Sequence, residues 1–95
     1  MPSRVLVVED DLDAARMMAA LVAEAGFTVA TAQSLREARR HIALDPPELV
    51  LLDLQLPDGS GLSLFDDPQS IANAQVVLIT GHATLETSIE ALRLG

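Results

Sequence analysis

Two apolar runs in this chain end abruptly on acids. "LVLL" (residues 49–52) is followed at once by Asp53, and "RVLVV" (Arg4–Val8) by Glu9, Asp10 and Asp11. A third run, "QVVLI", ends on Thr80. Carboxylates gathered at neighbouring strand tips repel one another, and the repulsion is relieved by holding a proton or sharing a cation. An all-oxygen set of two or three carboxylates, with positions left for water, suits Mg²⁺. A carboxylate can also act as a nucleophile toward phosphorus. Each acid has a plainer use as well. Asp opens turns, and Glu9, Asp10 and Asp11 equally suit the start of a following helix. The presence of Asp53 at the end of another strand favours the shared cation.

Chemistry of this kind needs a fold that brings the tips together. "RVLVV" reads as a buried strand, and "DAARMMAALVAEAG" then places Ala14, Met18, Leu21, Val22 and Ala25 at helical spacing. Asp13 lies near the positive end of that helix and Gly26 is its stop. "FTVATA" alternates Phe27 and Val29 with Thr28 and Thr31, as a half-exposed edge strand does. "SLREARRHIAL" opens with Ser34 and Glu37 in capping-box spacing and carries Leu35, Ala38 and Ile42 on one face. Asp45, Pro46 and Pro47 break it. "ELVLL" and "QVVLIT" are too continuously apolar for a wet face, which predicts strands buried on both sides. Between them "SGLSLF" predicts a short or irregular helix, interrupted by "DDPQS". "TLETSIEALRLG" closes the chain with Leu85, Ile89 and Leu92 on one stripe. Strand followed by helix, repeated, is the pattern of a parallel sheet sandwiched between helices, whose functional groups lie at the carboxyl ends of the strands.

Composition narrows the classes of function. Ninety-five residues hold one domain. Apolar residues make up 49%, but in runs too short for a membrane span, and no signal peptide precedes Glu9. Fourteen acids against six bases leave a net charge of −8, which opposes attraction to nucleic acid phosphates, so direct DNA contact by this segment is not expected. The absence of cysteine excludes disulfides and thiolate metal sites and fits a reducing, cytoplasmic location. All six bases are arginine, so no lysine is available to any site.

The motifs "VLVVEDD", "LVLLDLQLPDGSGL" and "VVLITGHAT", in this order and at this spacing, resemble the receiver domain of bacterial two-component response regulators. The resemblance runs from Arg4 to Gly95 and implies one receiver domain over residues 1–95. The implied fold is α/β, a doubly wound, flavodoxin-like parallel sheet of (βα)4 form with strand order 2-1-3-4. The resemblance also implies that Asp53 is the phosphoacceptor, with Asp10 a direct Mg²⁺ ligand. Glu9 becomes a ligand directly or through water, the Gln55 backbone carbonyl a further ligand, and Thr80 a hydrogen-bond partner of a phosphoryl oxygen. The donor in such systems is a phosphohistidine on a sensor histidine kinase. The receiver controls an output domain, commonly transcriptional, and turns over no small molecule. Pro57 is expected to stop further strand pairing, and Gly59 and Gly61 to let the loop turn back toward the metal. His82 and His41 are read as solvated.

The chain departs from the family in one respect. Receivers carry a fifth strand and helix, with a phosphoryl-contacting lysine, and this sequence stops before them at Gly95. The expectation is a receiver incomplete at its C-terminus, either a fragment of a longer regulator or a natural short receiver, with "QVVLIT" as an open edge that leaves the chain marginally folded or self-associating, including as a homodimer. Two other readings compete: a non-phosphorylated pseudo-receiver acting as a dimerisation or docking module, and a haloacid-dehalogenase-type phosphatase. Gln55 counts against the phosphatase, which needs a second Asp at that position.

Overall fold

The structure, a computed structural model, describes residues 3–53, 55–66 and 74–79. Five-residue segments form its main strands: β1 (Arg4–Val8), β2 (Thr28–Ala32) and β3 (Leu49–Asp53). Between them lie α1 (Leu12–Glu24) and α2 (Leu35–Leu44). After β3 come two short strands, β4 (Gln55–Leu56) and β5 (Gly59–Ser60), a 3₁₀ helix over Gly61–Asp66, and β6 (Gln75–Ile79). The sheet runs β2-β1-β3-β6, all parallel. Because β6 is the fourth long strand, this is the 2-1-3-4 order that the resemblance implies. The closing helix expected from "TLETSIEALRLG" lies outside the described residues.

Alternation along each strand divides the core in two, since successive side chains point to opposite faces. On one face Val5, Val7, Leu49, Leu51 and Ile79 pack with Met18 and Val22 of α1. On the other, Leu6, Val8, Val50 and Leu52 pack with Leu35, Ala38 and Ile42 of α2. Helices therefore cover both faces, which is why β1 is apolar from Val5 to Val8 and β3 from Leu49 to Leu52. Leu56, within the short hairpin, and Leu64, just after it, also enter the α2 side of the core. β6 is wetter than its sequence suggests, with Leu78 41% exposed; β3 is its sole strand partner among the described residues.

The helix ends follow local chemistry. Asp11 caps α1, its carboxylate accepting from the amides of Asp13 (3.0 Å) and Ala14 (3.4 Å). Ser34 caps α2, accepting from Glu37 N–H at 3.1 Å, while the Glu37 carboxylate accepts from Gln33 N–H at 2.6 Å. The capping box read from the spacing is thus half formed: Ser34 serves the Glu37 amide, but Glu37 reaches back one residue past the cap, to Gln33 rather than to the Ser34 amide. α2 ends at Asp45, which forms an ion pair with Arg4 at the base of β1.

Burial makes an unambiguous forecast. Leu51 is fully buried between β1 and β6, so Leu51→Ala should cost about 2–5 kcal/mol in urea denaturation. Leu44 is 76% exposed, so Leu44→Ala should stay within about 0.5 kcal/mol. Comparable losses in the two variants would contradict the core described here.

Candidate functional site

The carboxyl-terminal edge of the sheet collects the acids. β1 pairs with β3 so that Val8 lies opposite Leu52, which brings the next residues, Glu9 and Asp53, to the same edge. The Glu9 amide donates to the Ala32 carbonyl at 2.9 Å, so the strand geometry holds one residue past β1. One carboxylate oxygen from each of Glu9, Asp10 and Asp53 lies within 4.8 Å of the others. Glu9 is buried, Asp53 partly so, and Asp10 is exposed. The three acids after β1 thus divide: Asp11 takes the helix cap, whereas Glu9 and Asp10 join Asp53. A cleft of about 360 Å³ opens on them, lined also by Asp11, Ala14, Met18 and Ile79.

Burial pushes the Glu9 carboxyl up to about 7, and hydrogen bonding and charge from Asp53, with a hydrogen bond from Asp10, push in the same direction. The Asp11 amide, donating to Glu9 Oε1 at 3.2 Å, opposes this only in part. An acid driven toward its neutral form first by burial and further by adjacent acids is suited to a cation that would relieve both. The donor set is hard, all-oxygen and open on one side, and it fits Mg²⁺ held by Glu9, Asp10 and Asp53.

The loop beyond β3 folds back onto the site. Pro57 does not end strand pairing, as its sequence position suggested. Pro57 and Asp58 form the turn of a hairpin in which Gln55 opposes Ser60 and Leu56 opposes Gly59. Two strands of two residues satisfy the pairing, and a proline at the turn removes no ladder hydrogen bond. Gln55 lies in this hairpin, two residues from Asp53. Gly61 then packs against the Asp53 backbone. A Cβ there would overlap the Asp53 carbonyl oxygen and lie 3.0 Å from Leu52 Cγ, so only glycine allows the approach. Thr80 and His82 lie outside the described residues, but Ile79, immediately before Thr80, is paired with Asp53. His41 lies away from the acids, in a separate cleft of about 410 Å³ lined by Leu12, Thr31, Gln33, Glu37, Arg40 and Leu44. That cleft is the larger of the two, but it contains a single acid.

The family model described as "Response regulator receiver domain" matches residues 5–95. The chain belongs to the response regulator receiver family. This receiver is 33% identical over 93 residues to the response regulator protein PilR of Pseudomonas aeruginosa, covering 97% of the chain and 21% of PilR. It thus spans about a fifth of that relative's length. Among solved structures it is similar to NtrX from Brucella abortus, with TM-score 0.76 and 33% identity, covering 100% of this chain and 22% of NtrX. It is also similar to a response regulator from Burkholderia pseudomallei, with TM-score 0.76 and 28% identity, covering 98% of this chain and 55% of the other. That structure contains a phosphorylated aspartic acid, a calcium ion and citrate. Membership of this family removes the ground for the dehalogenase-type reading. Among the described residues no helix is long and apolar enough to cross a membrane.

The raised Glu9 carboxyl has a signed consequence for stability. A carboxyl that binds its proton more tightly when folded stabilises the fold fully below about pH 4.5, and that contribution is lost as pH rises through about 7. In metal-free buffer the unfolding free energy should therefore fall across this window, and the fall should be much smaller in Glu9→Gln. Parallel pH profiles for the two proteins would remove Glu9 as its source.

Proposed function

We propose that this receiver takes a phosphoryl group onto Asp53 in a Mg²⁺-dependent reaction and passes the signal to an output function, most simply a transcriptional one. The observation that carries the reading is the convergence of the Glu9, Asp10 and Asp53 carboxylates at one sheet edge. Glu9, Asp10 and Asp53, with the Gln55 backbone carbonyl, are the residues that would hold the ion. Bound Mg²⁺ neutralises charge on the acids and on the phosphoryl oxygens. An Asp53 carboxylate oxygen forms the new O–P bond as the donor's P–N bond breaks, and the leaving imidazole keeps the electron pair. The product is an acyl phosphate. β3 presents Asp53 at an open cleft, while Gly61 fixes its backbone from behind. Thr80, next after Ile79, is assigned the hydrogen bond to a phosphoryl oxygen.

The donor is a phosphohistidine on a sensor histidine kinase. Its partner role rests on family membership, as does the output domain. The Burkholderia relative with a phosphorylated aspartic acid and a calcium ion supports the same chemistry. The reaction modifies the receiver itself, without turnover of a small molecule, and a cytoplasmic setting matches a chain without cysteine.

Mg²⁺ titration and phosphorylation by acetyl phosphate test the reading together. Asp10→Asn should weaken Mg²⁺ binding by about tenfold or more, since the loss of a group that merely supports a ligand already costs that much. With Mg²⁺ and acetyl phosphate the chain should gain one acid-stable, base-labile phosphoryl group, and Asp53→Asn should gain none. Equal labelling of the Asp53→Asn variant would refute the acceptor. A folded chain that is never labelled would leave a docking module.

A further inference from the structure

Asp58 is exposed, lies outside the acidic cluster, and has a use that the proposed chemistry leaves aside. Its two carboxylate oxygens accept from the first two amides of α2: Leu35 N–H to Oδ1 at 2.8 Å and Arg36 N–H to Oδ2 at 3.0 Å. The third amide, that of Glu37, is taken by Ser34. The opening turn of α2 is therefore satisfied jointly by its own cap and by a residue of the loop that follows Asp53. Such amides have no partner inside their helix, and an acid at this end also gains from the helix dipole. The Leu35 and Arg36 amides hold the Asp58 carboxyl below its usual range.

Further contacts extend this join in both directions. Gly59, the next residue, fits against Leu35, whose Cδ1 lies 3.1 Å from where a Gly59 Cβ would be. Arg39 Nη2 donates to the Ser63 carbonyl at 3.5 Å, one helical turn further along α2. Two residues after Gly59, Gly61 abuts the Asp53 carbonyl. A hairpin of two-residue strands has little stability of its own. Its turn is held to the helix by Asp58, and its far end rests on the acceptor.

We infer that Asp58 is a positioning residue: by tying the turn of the hairpin to the start of α2, it holds Gly61 against the Asp53 backbone and so fixes the Asp53 carboxylate relative to Glu9 and Asp10. The inference rests on the reading of Asp53 as acceptor, but the clamp itself has an independent readout. Leu56 and Leu64 anchor the loop in the core by contacts that do not involve Asp58, so the variants should fold.

The experiment compares the full chain with D58A and D58N, using amide hydrogen exchange without phosphodonor and acetyl phosphate labelling at saturating Mg²⁺ and donor. D58A should speed exchange at residues 59–61 as well as at Leu35 and Arg36. Its labelling rate at saturation should fall about three- to tenfold, since small displacements of a reacting group carry large rate penalties. D58N keeps one side-chain oxygen as acceptor and should recover most of both. A cap whose influence ends at α2 would alter exchange only at Leu35 and Arg36 and leave the labelling rate unchanged, which would overturn the inference. If the wild-type chain takes no phosphoryl group, the acceptor reading fails, while exchange at residues 59–61 still decides the clamp.

Discussion

The parallel pairing of β1 with β3, which sets Val8 opposite Leu52, is the constraint from which the site follows. Side chains alternate along a strand, so a slip of one residue would turn each buried valine and leucine to the wrong face. The apolar residues on both faces thus lock the register, and the register in turn brings Glu9 and Asp53 to one edge. Core packing and site geometry are in this sense the same decision. Glu9, Asp10 and Asp53 are not part of that core. They are carried to their places by hydrophobic residues that lie one and two positions away.

Placing acids this close works against folding, and the strain shows where water is scarcest. Asp10 is in solvent, but Glu9 is enclosed, and burial displaces its carboxyl toward neutrality. Domains of this size have a margin of only about 5–15 kcal/mol, so an unfavourable cluster persists only where the rest of the fold compensates. Here the compensation is a double-sided core in which Val5, Val7, Val8, Leu51 and Leu52 are fully buried. Conflict between local charge and global packing, confined to one edge, is what marks that edge as functional.

Much of this arrangement is legible in the amino-acid order. Unbroken apolar runs betray strands covered on both faces, Ser34 and Glu37 announce the start of α2, and acids directly after "RVLVV" and "LVLL" mark the tips. What the sequence hides is set by distant partners. Asp58 in "PDG" reads as ordinary turn chemistry, because the amides it serves belong to residues 22 and 23 positions earlier. The short hairpin is likewise obscured by Pro57, a residue that argues against strands unless it occupies the turn itself. Asp11 could not be separated from Glu9 and Asp10 by type, only by its contact with the first turn of α1. The partial exposure of β6 is equally invisible to periodicity, since an apolar run reports the faces it could bury and not its position in the sheet.

The strand order also has a bearing on how the chain is assembled. β1 precedes both of its neighbours in the chain, yet it lies in the interior of the sheet, with β2 on one side and β3 on the other. Its first neighbour is available once α1 has been made, but its second must await residues 49–53. Until then one of its two hydrogen-bonding edges has no strand to pair with. For the same reason, removing the first eight residues would not trim a margin. It would take out the strand that joins β2 to β3, and the two would have no common partner left.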